Sequence, residues 1–481
     1  MKALDYFLEI SKIPRESGNL DGIRQYLVKW ANDNNFENVV DKTGNVIIYC
    51  PATKGYEDVP PVLLQGHMDM VCVKTPETVH DFTKDPIDVY QDGDWLKARG
   101  TSLGGDNGIA IAMTMAIFTD GEAVHGPLEA MFTVDEETGL TGAFGFDETL
   151  IQSRKLINMD SEEEGIIYIG CAGGTDLSAS CNVEYEKVPD DWEPVEIKLG
   201  GLLGGHSGGE IHMQRLNAIS ALARMLTSVR QTGRQFMLCS FDGGTRRNVI
   251  PSSVSCKICI PSAYKKEIMQ RILKTAAMIK EEYRYQDPDF KEEHHCSKCN
   301  PSITKPEKAL APECSMKLMT ALLAVPHGVL LTSNAVKGVV ETSDNLAIAK
   351  LEGERFNVEI SVRSLIDSAK SGLVSRIFAI LEAFGFECEI TSGYPSWAPN
   401  PNSPLASFCA QAWTEMFEKR PVITSIHAGL ECGIIISKIP GMDSVSIGPD
   451  LFNVHSVNEK LSVSSVERIY GFVKHLLSII K

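Results

Sequence analysis

The chain has 481 residues, 43% hydrophobic and 23% charged, which is enough for substantial cores and more than one compact domain. With 63 acidic against 46 basic residues its formal net charge is −17, so no cationic excess exists to displace counterions and nucleic acid is excluded as the main partner. Thirteen cysteines scattered singly, and no apolar run near the roughly 20 residues of a membrane span, make a reduced, cytoplasmic protein with no membrane partner the expectation.

Leu4, Phe7 and Leu8 begin a helix, and Ile23, Tyr26, Leu27 and Trp30 continue helical spacing in a second. NVIIYC and PVLLQGHMD then read as short buried strands, GIAIAMTMAIF as a small-residue helix, and LEAMFTV and KLINMD as further strands. Strands alternating with helices imply an α/β layer whose sheet is mixed but largely parallel and flanked by helices. Near residue 188 the polar joint VPDDWEP marks a change. After it come PVEIKLGG, a helix with Ile219, Leu222, Ala223 and Leu226 on one face, the strand SVSCKICI, and a helix through Ile268, Ile272 and Ile279. Beyond a polar stretch around 286–312 the theme recurs: a helix near 313–325, strands ending in FNVEISVRS, a helix at 370–384, then ECEITSGY. From about residue 400 the earlier pattern returns and closes in an amphipathic helix. The expected organisation is a discontinuous α/β domain of residues 1–187 and 400–481, interrupted at 188–399 by an α+β insert of two related halves.

Five sites at strand ends or in loops carry chemistry. His67 and Asp69 in GHMD lie two apart in an extended segment, so both can face one site. Asp106 sits in the glycine-rich turn GTSLGGDNG, Glu136 and Glu137 in FTVDEETG, Asp160 in LINMDSEEEG, and His455 in GPDLFNVHSVNE. Singly, each has an ordinary reading: a satisfied polar histidine, a turn aspartate, a solvated acidic pair. Together, two histidines and several carboxylates at successive strand ends match the nitrogen and oxygen ligands of zinc or a related divalent ion in a hydrolytic site. The cluster His294-His295-Cys296-Ser297-Lys298-Cys299 reads instead as a surface loop, because its candidate ligands are compressed into one short segment.

The order His-x-Asp, Asp in a Gly-rich turn, Glu-Glu, Asp and a distant His resembles the co-catalytic zinc peptidase family that includes carboxypeptidase G, peptidase T and aminoacylase. The flanking segments HMDMVC, GTSLGGDNGIA, DEETGLTGA, GGHSGGEIH and HAGLECG look most like its aminoacyl-histidine dipeptidase branch, also called cytosol non-specific dipeptidase. The resemblance spans essentially the whole chain. It implies two Zn2+ per chain, with Co2+ or Mn2+ as alternatives. His67 and Asp160 would hold one ion, Glu137 and His455 the other, and Asp106 would bridge them, with a cis bond to Asn107. Asp69 would orient His67, and Glu136 would be the general base. In the insert, which would act as a lid, His206 would stabilise the oxyanion while Asn248 and Arg363 hold the substrate. His427 and Glu431 would contact it from a loop of the catalytic domain, Glu431 through the free α-ammonium group. The implied reaction is hydrolysis of unblocked dipeptides, of Xaa-His type or broader. An aminoacylase-like or carboxypeptidase-like amidohydrolase and a non-catalytic metal-binding scaffold are the alternatives, and a homodimer through the lid is left open.

Overall fold

The structure, a computed structural model, describes residues 2–297 and 300–480. It forms two compact units: Met1–Cys171, Trp397–Ile426 and Leu430–Lys481 make the first, and Ala172–Ser396 with His427–Gly429 the second.

In the first unit an eight-stranded sheet runs in the order Glu37–Val40, Val46–Cys50, Leu128–Thr133, Val62–His67, Lys155–Asn158, Asp443–Ser446, Ile166–Cys171 and Val422–Ile426. Its centre is parallel, from Leu128–Thr133 through Val62–His67 and Lys155–Asn158 to Asp443–Ser446. The last two strands are parallel as well, and the remaining pairs are antiparallel. This is the mixed, largely parallel sheet that the alternating pattern implies. Val62–His67 and Leu128–Thr133 are buried at every position, as strands covered on both faces must be. The helix Gly105–Phe118 packs on this sheet, and Asp106 is its one member that is not buried. A second, four-stranded sheet joins Val89–Asp92 and Trp95–Ala98 to Lys460–Ser462 and Leu451–Phe452, and the turn between the last two carries His455.

The second unit does not begin at the expected joint. The strand Gly173–Asn182 precedes residue 188, yet it pairs with Arg355–Ser364 and Glu387–Tyr394. The unit therefore starts at Ala172, and the first unit resumes at Trp397 and not at residue 400. Its large sheet falls into two matching halves. One is ordered Lys291–Cys296, Trp192–Gly200, Val254–Pro261, Met237–Gly243, and the other Glu387–Tyr394, Gly173–Asn182, Arg355–Ser364, Val340–Glu352. They meet where Met237–Gly243 pairs with Val340–Glu352. The helices Ala218–Thr227, Lys265–Glu282, Pro312–Ala324 and Asp367–Ala383 share one apolar core with this sheet. His294, His295 and Cys296 belong to an edge strand, Lys291–Cys296, paired with Trp192–Gly200, and so are not in a loop as expected; Lys298 and Cys299 lie outside the described residues. Among the described residues no helix is long and apolar enough to cross a membrane.

Asp344, in the strand Val340–Glu352, is 1% exposed, and among the described residues neither of its carboxyl oxygens meets a donor from another residue. Burial pushes this carboxyl well above its usual range, against a smaller opposing effect of Arg376. A folded-state value above the unfolded one means that the unfolded chain releases this proton first as pH rises. Stability is therefore lost upward from about pH 4, by at most about 1.4 kcal/mol per pH unit, until the folded group also ionises. Asp344→Asn is expected to melt at a higher temperature than the wild type at pH 8, with the gap closing towards pH 4. Equal midpoints across that range in thermal unfolding would contradict it.

Candidate metal centre and active site

The three parallel central strands of the first unit end at the same sheet edge, where open α/β sheets place their sites. His67 is the last residue of Val62–His67, Glu136 and Glu137 follow Leu128–Thr133, and Asp160 follows Lys155–Asn158. Asp106 enters from the first turn of Gly105–Phe118, and its peptide bond to Asn107 is cis. His455 arrives from the turn of the small sheet at φ 58°.

These side chains converge. His67 Nε2 lies 3.0 Å from Asp106 Oδ1 and 3.5 Å from Asp160 Oδ1. His455 Nε2 lies 3.1 Å from Asp106 Oδ2 and 2.8 Å from Glu137 Oε1. Asp106 thus presents one oxygen to each imidazole. Asn107 Nδ2 donates to Asp160. On the far side of the His67 ring, Nδ1 is 3.4 Å from Asp69 Oδ1. Asp69 is itself fully buried; it accepts the Glu136 and Glu137 backbone amides at 3.0 and 3.2 Å and the Ser17 hydroxyl at 2.7 Å. The nearer partner of His67 Nδ1 is the Asp69 backbone carbonyl at 3.1 Å, so Asp69, through carbonyl and carboxylate together, ties the His67 ring to the segment that carries both glutamates.

The donor set fits divalent cations. His67, Asp106 and Glu137 each offer an atom within 4.8 Å of the others, and all are nitrogen or carboxylate oxygen. Left to protons alone, the cluster is strongly perturbed. Burial lowers the His67 pKa, but the surrounding carboxylates, Asp160 foremost, carry it well above the usual value. The bonds from Asp106 and Glu137 push His455 up to about 11. Burial drives Glu136 well above the ordinary carboxyl range; His67 opposes the rise, and Asp160, Glu431 and Glu137 add to it. A cluster that draws protons this strongly has the charge to take cations in their place.

The second unit holds His206, Asn248, Arg363 and His427. A Cβ at Gly208 would lie 2.8 Å from the His427 carbonyl oxygen, 3.0 Å from His206 Cε1 and 3.2 Å from Arg363 Cζ, so these three groups surround one glycine. His206 Nδ1 accepts the backbone amides of Gly208 and Gly209 at 3.3 and 3.0 Å, which leaves the ring proton on Nε2. Asn248 joins through its carbonyl, which accepts the Ser207 amide at 2.9 Å. Arg363 Nη1 donates to the Tyr394 hydroxyl at 2.9 Å, and its Nε is buried with no partner among the described residues.

Two placements need correction. His427 belongs to the second unit and not to a catalytic-domain loop: its Nε2 is 2.7 Å from Ser343 Oγ, and burial, helped by Arg363, lowers its pKa to about 3. Glu431, four residues on, has no exposed surface. One of its oxygens accepts the Thr133 hydroxyl at 2.6 Å and the Gln65 amide. A carboxyl closed off in this way is not placed to meet a substrate ammonium group, and it acts on Glu136 as a neighbouring charge.

Residues 63–479 match the model of peptidase family M20/M25/M40. The chain belongs to that family. As a member it is a peptidase, and the cluster at the sheet edge is its candidate active site. It is 40% identical over 474 residues to the cytosol non-specific dipeptidase of Escherichia coli (strain K12), spanning 98% of this chain and 96% of the relative. It superposes on the crystal structure of aminoacylhistidine dipeptidase from Vibrio alginolyticus with a TM-score of 0.91 at 35% identity, covering 100% of this chain and 96% of that one. The aminopeptidase PepT of Bacillus cereus shares the fold at 16% identity, with a TM-score of 0.57 over 99% and 97% of the two chains.

Arg15 and Glu459 are both buried beside the cluster, and no signal in the sequence marks them. Neither stands in a recognisable pattern: one follows a proline in a turn, the other lies in the loop after His455, and only the folded chain shows what they bind.

Zinc added to chelator-stripped protein is expected to raise the unfolding midpoint, by about 2.7 kcal/mol of stability at free zinc near 100 times Kd. Asp106→Asn is expected to remove most of that gain. A wild-type midpoint that zinc leaves unmoved would contradict a metal centre here.

Proposed function

We propose that this peptidase hydrolyses unblocked dipeptides in the cytoplasm, with Glu136 as general base beside two divalent cations, zinc foremost. The observation that carries the reading is the convergence of His67, Asp106, Glu137, Asp160 and His455, with the Glu136 carboxyl held next to them. The relatives named for dipeptides and aminoacyl-histidine supply the substrate class. In this reading His67 and Asp160 would hold one ion and Glu137 and His455 the other, with Asp106 within reach of both. Bound there, the ions would supply Lewis acidity for the scissile carbonyl and for the attacking water.

This chain's residues do the rest. Glu136 takes a proton from the attacking water and returns it to the leaving amine, a role open to a carboxylate whose backbone is fixed beside the cluster. Asp69 holds His67 in one ring orientation and fixes the backbone of Glu136, so that base and ligand keep a constant relation. His206 offers its Nε2 proton to the developing oxyanion, because two amides occupy its other nitrogen. Arg363 grips the substrate carboxylate with its planar fork, steadied by Tyr394, and Asn248 helps to hold the substrate.

Purified protein is expected to cleave an unblocked Xaa-His dipeptide, to spare its N-acetyl analogue, and to lose activity with chelator. Glu136→Gln is expected to lower kcat by about 100-fold or more while zinc uptake is retained. Preference for the acetylated analogue would replace this reading with an N-acyl amidohydrolase, and full activity in Glu136→Gln would remove the general base. Arg363→Ala is expected to raise KM by about tenfold or more, as loss of a charge-assisted bond does. An unchanged KM would free Arg363 of its substrate role.

A further inference from the structure

We propose that Arg15 and Glu459 are positioning residues of the metal centre, gripping the turn that delivers Asp106, one by a backbone carbonyl and the other by backbone amides. The inference rests on the metal reading above and adds two residues to it.

Arg15 lies in the loop after the helix Lys2–Ile10, and its side chain is among the largest that are fully buried. It faces backbone carbonyls: Nη1 donates to Met68 O at 3.2 Å and Asp69 O at 3.0 Å, and Nη2 donates to Gly104 O. The Arg15 backbone carbonyl also accepts the Met70 amide at 3.1 Å. One guanidinium thus links the segment that follows His67 to the segment that precedes Asp106. A rigid planar fork can serve carbonyls on two segments at once, which a lysine ammonium on its flexible stem cannot reproduce.

Glu459 is 3% exposed and faces backbone amides of the same turn. Its Oε2 accepts from Leu103 at 2.7 Å and Gly104 at 3.0 Å, and its Oε1 from Gly105 at 2.8 Å and Asp106 at 3.4 Å. Four successive amides pointing at one carboxylate fix the turn as a nest fixes an anion, with the anion here supplied by the protein. Gly104 allows both grips. Its φ is +69°, and a Cβ there would lie 2.6 Å from Met70 Sδ and against the Arg15 guanidinium.

Asp106 meets both imidazoles of the cluster, so a small drift of its turn would misplace both halves of the centre together. A purely structural pair would cost stability and leave cation affinity alone. Positioning residues would cost affinity. Partners that orient metal ligands typically change affinity by about 10- to 100-fold when altered.

The test measures zinc affinity by competition with a chromophoric chelator, beside thermal unfolding of the metal-free protein. The variants are Glu459→Gln, Arg15→Lys and the milder Glu459→Asp. Glu129→Gln is the matched control, since Glu129 is also buried and accepts the Gln152 and Ser153 amides at 2.9 and 3.0 Å, at the other end of its strand. The expected result is a loss of zinc affinity of about 10- to 100-fold in Glu459→Gln and Arg15→Lys, a smaller loss in Glu459→Asp, and none in Glu129→Gln. Wild-type affinity in the folded Glu459 and Arg15 variants would overturn the inference, as would an equal loss in Glu129→Gln. A wild-type protein that takes up no zinc would overturn the metal reading itself, an outcome distinct from the other two.

Discussion

The candidate centre depends on Asp106. One carboxylate offers one oxygen to His67 and the other to His455, although 349 positions separate it from the second histidine. Bringing several carboxylates to one sheet edge is costly in the absence of positive charge, because each raises the cost of ionising the next. With no cation bound, the surrounding carboxylates raise the pKa of both imidazoles, and burial raises that of the Glu136 carboxyl. Bound cations would supply the opposing charge directly. The same electrostatic constraint therefore accounts for the ligand set.

The surroundings hold this arrangement by backbone more than by side-chain contact. Asp69 fixes two amides, Glu459 four, and Arg15 three carbonyls, all in the segments that carry the cluster. Loops that bring charged ligands together are where a fold is most free to move, and buried charge-assisted bonds to their backbone restrict that freedom. The second unit uses a similar device on a smaller scale. There the amides after His206 set its tautomer, and Gly208 lets His206, Arg363 and the His427 carbonyl approach one another.

Much of this was legible in the sequence, for physical reasons. The central strands are short, mostly apolar and followed at once by His or carboxylate residues, so His67, Glu136, Glu137 and Asp160 announce the sheet edge on which they sit. What was missed depends on distant pairing. The strand Gly173–Asn182 is largely polar and finds its partners only after the first half of the second unit has been completed, so the second unit starts some sixteen residues before the polar joint that marks it in the sequence. His427 and Glu431 lie within one short segment yet fall in different units, and no local pattern distinguishes them. Arg15 and Glu459 are isolated charges in loops, where exposure is the ordinary expectation and burial is set by what the fold brings against them.

The most direct measurement is anomalous diffraction at the zinc edge from crystals of the zinc-loaded protein. Two peaks are expected at the sheet edge, both contacted by Asp106, one held also by His67 and Asp160 and the other by Glu137 and His455. No peak there, or ordered zinc only on other residues, would contradict the account.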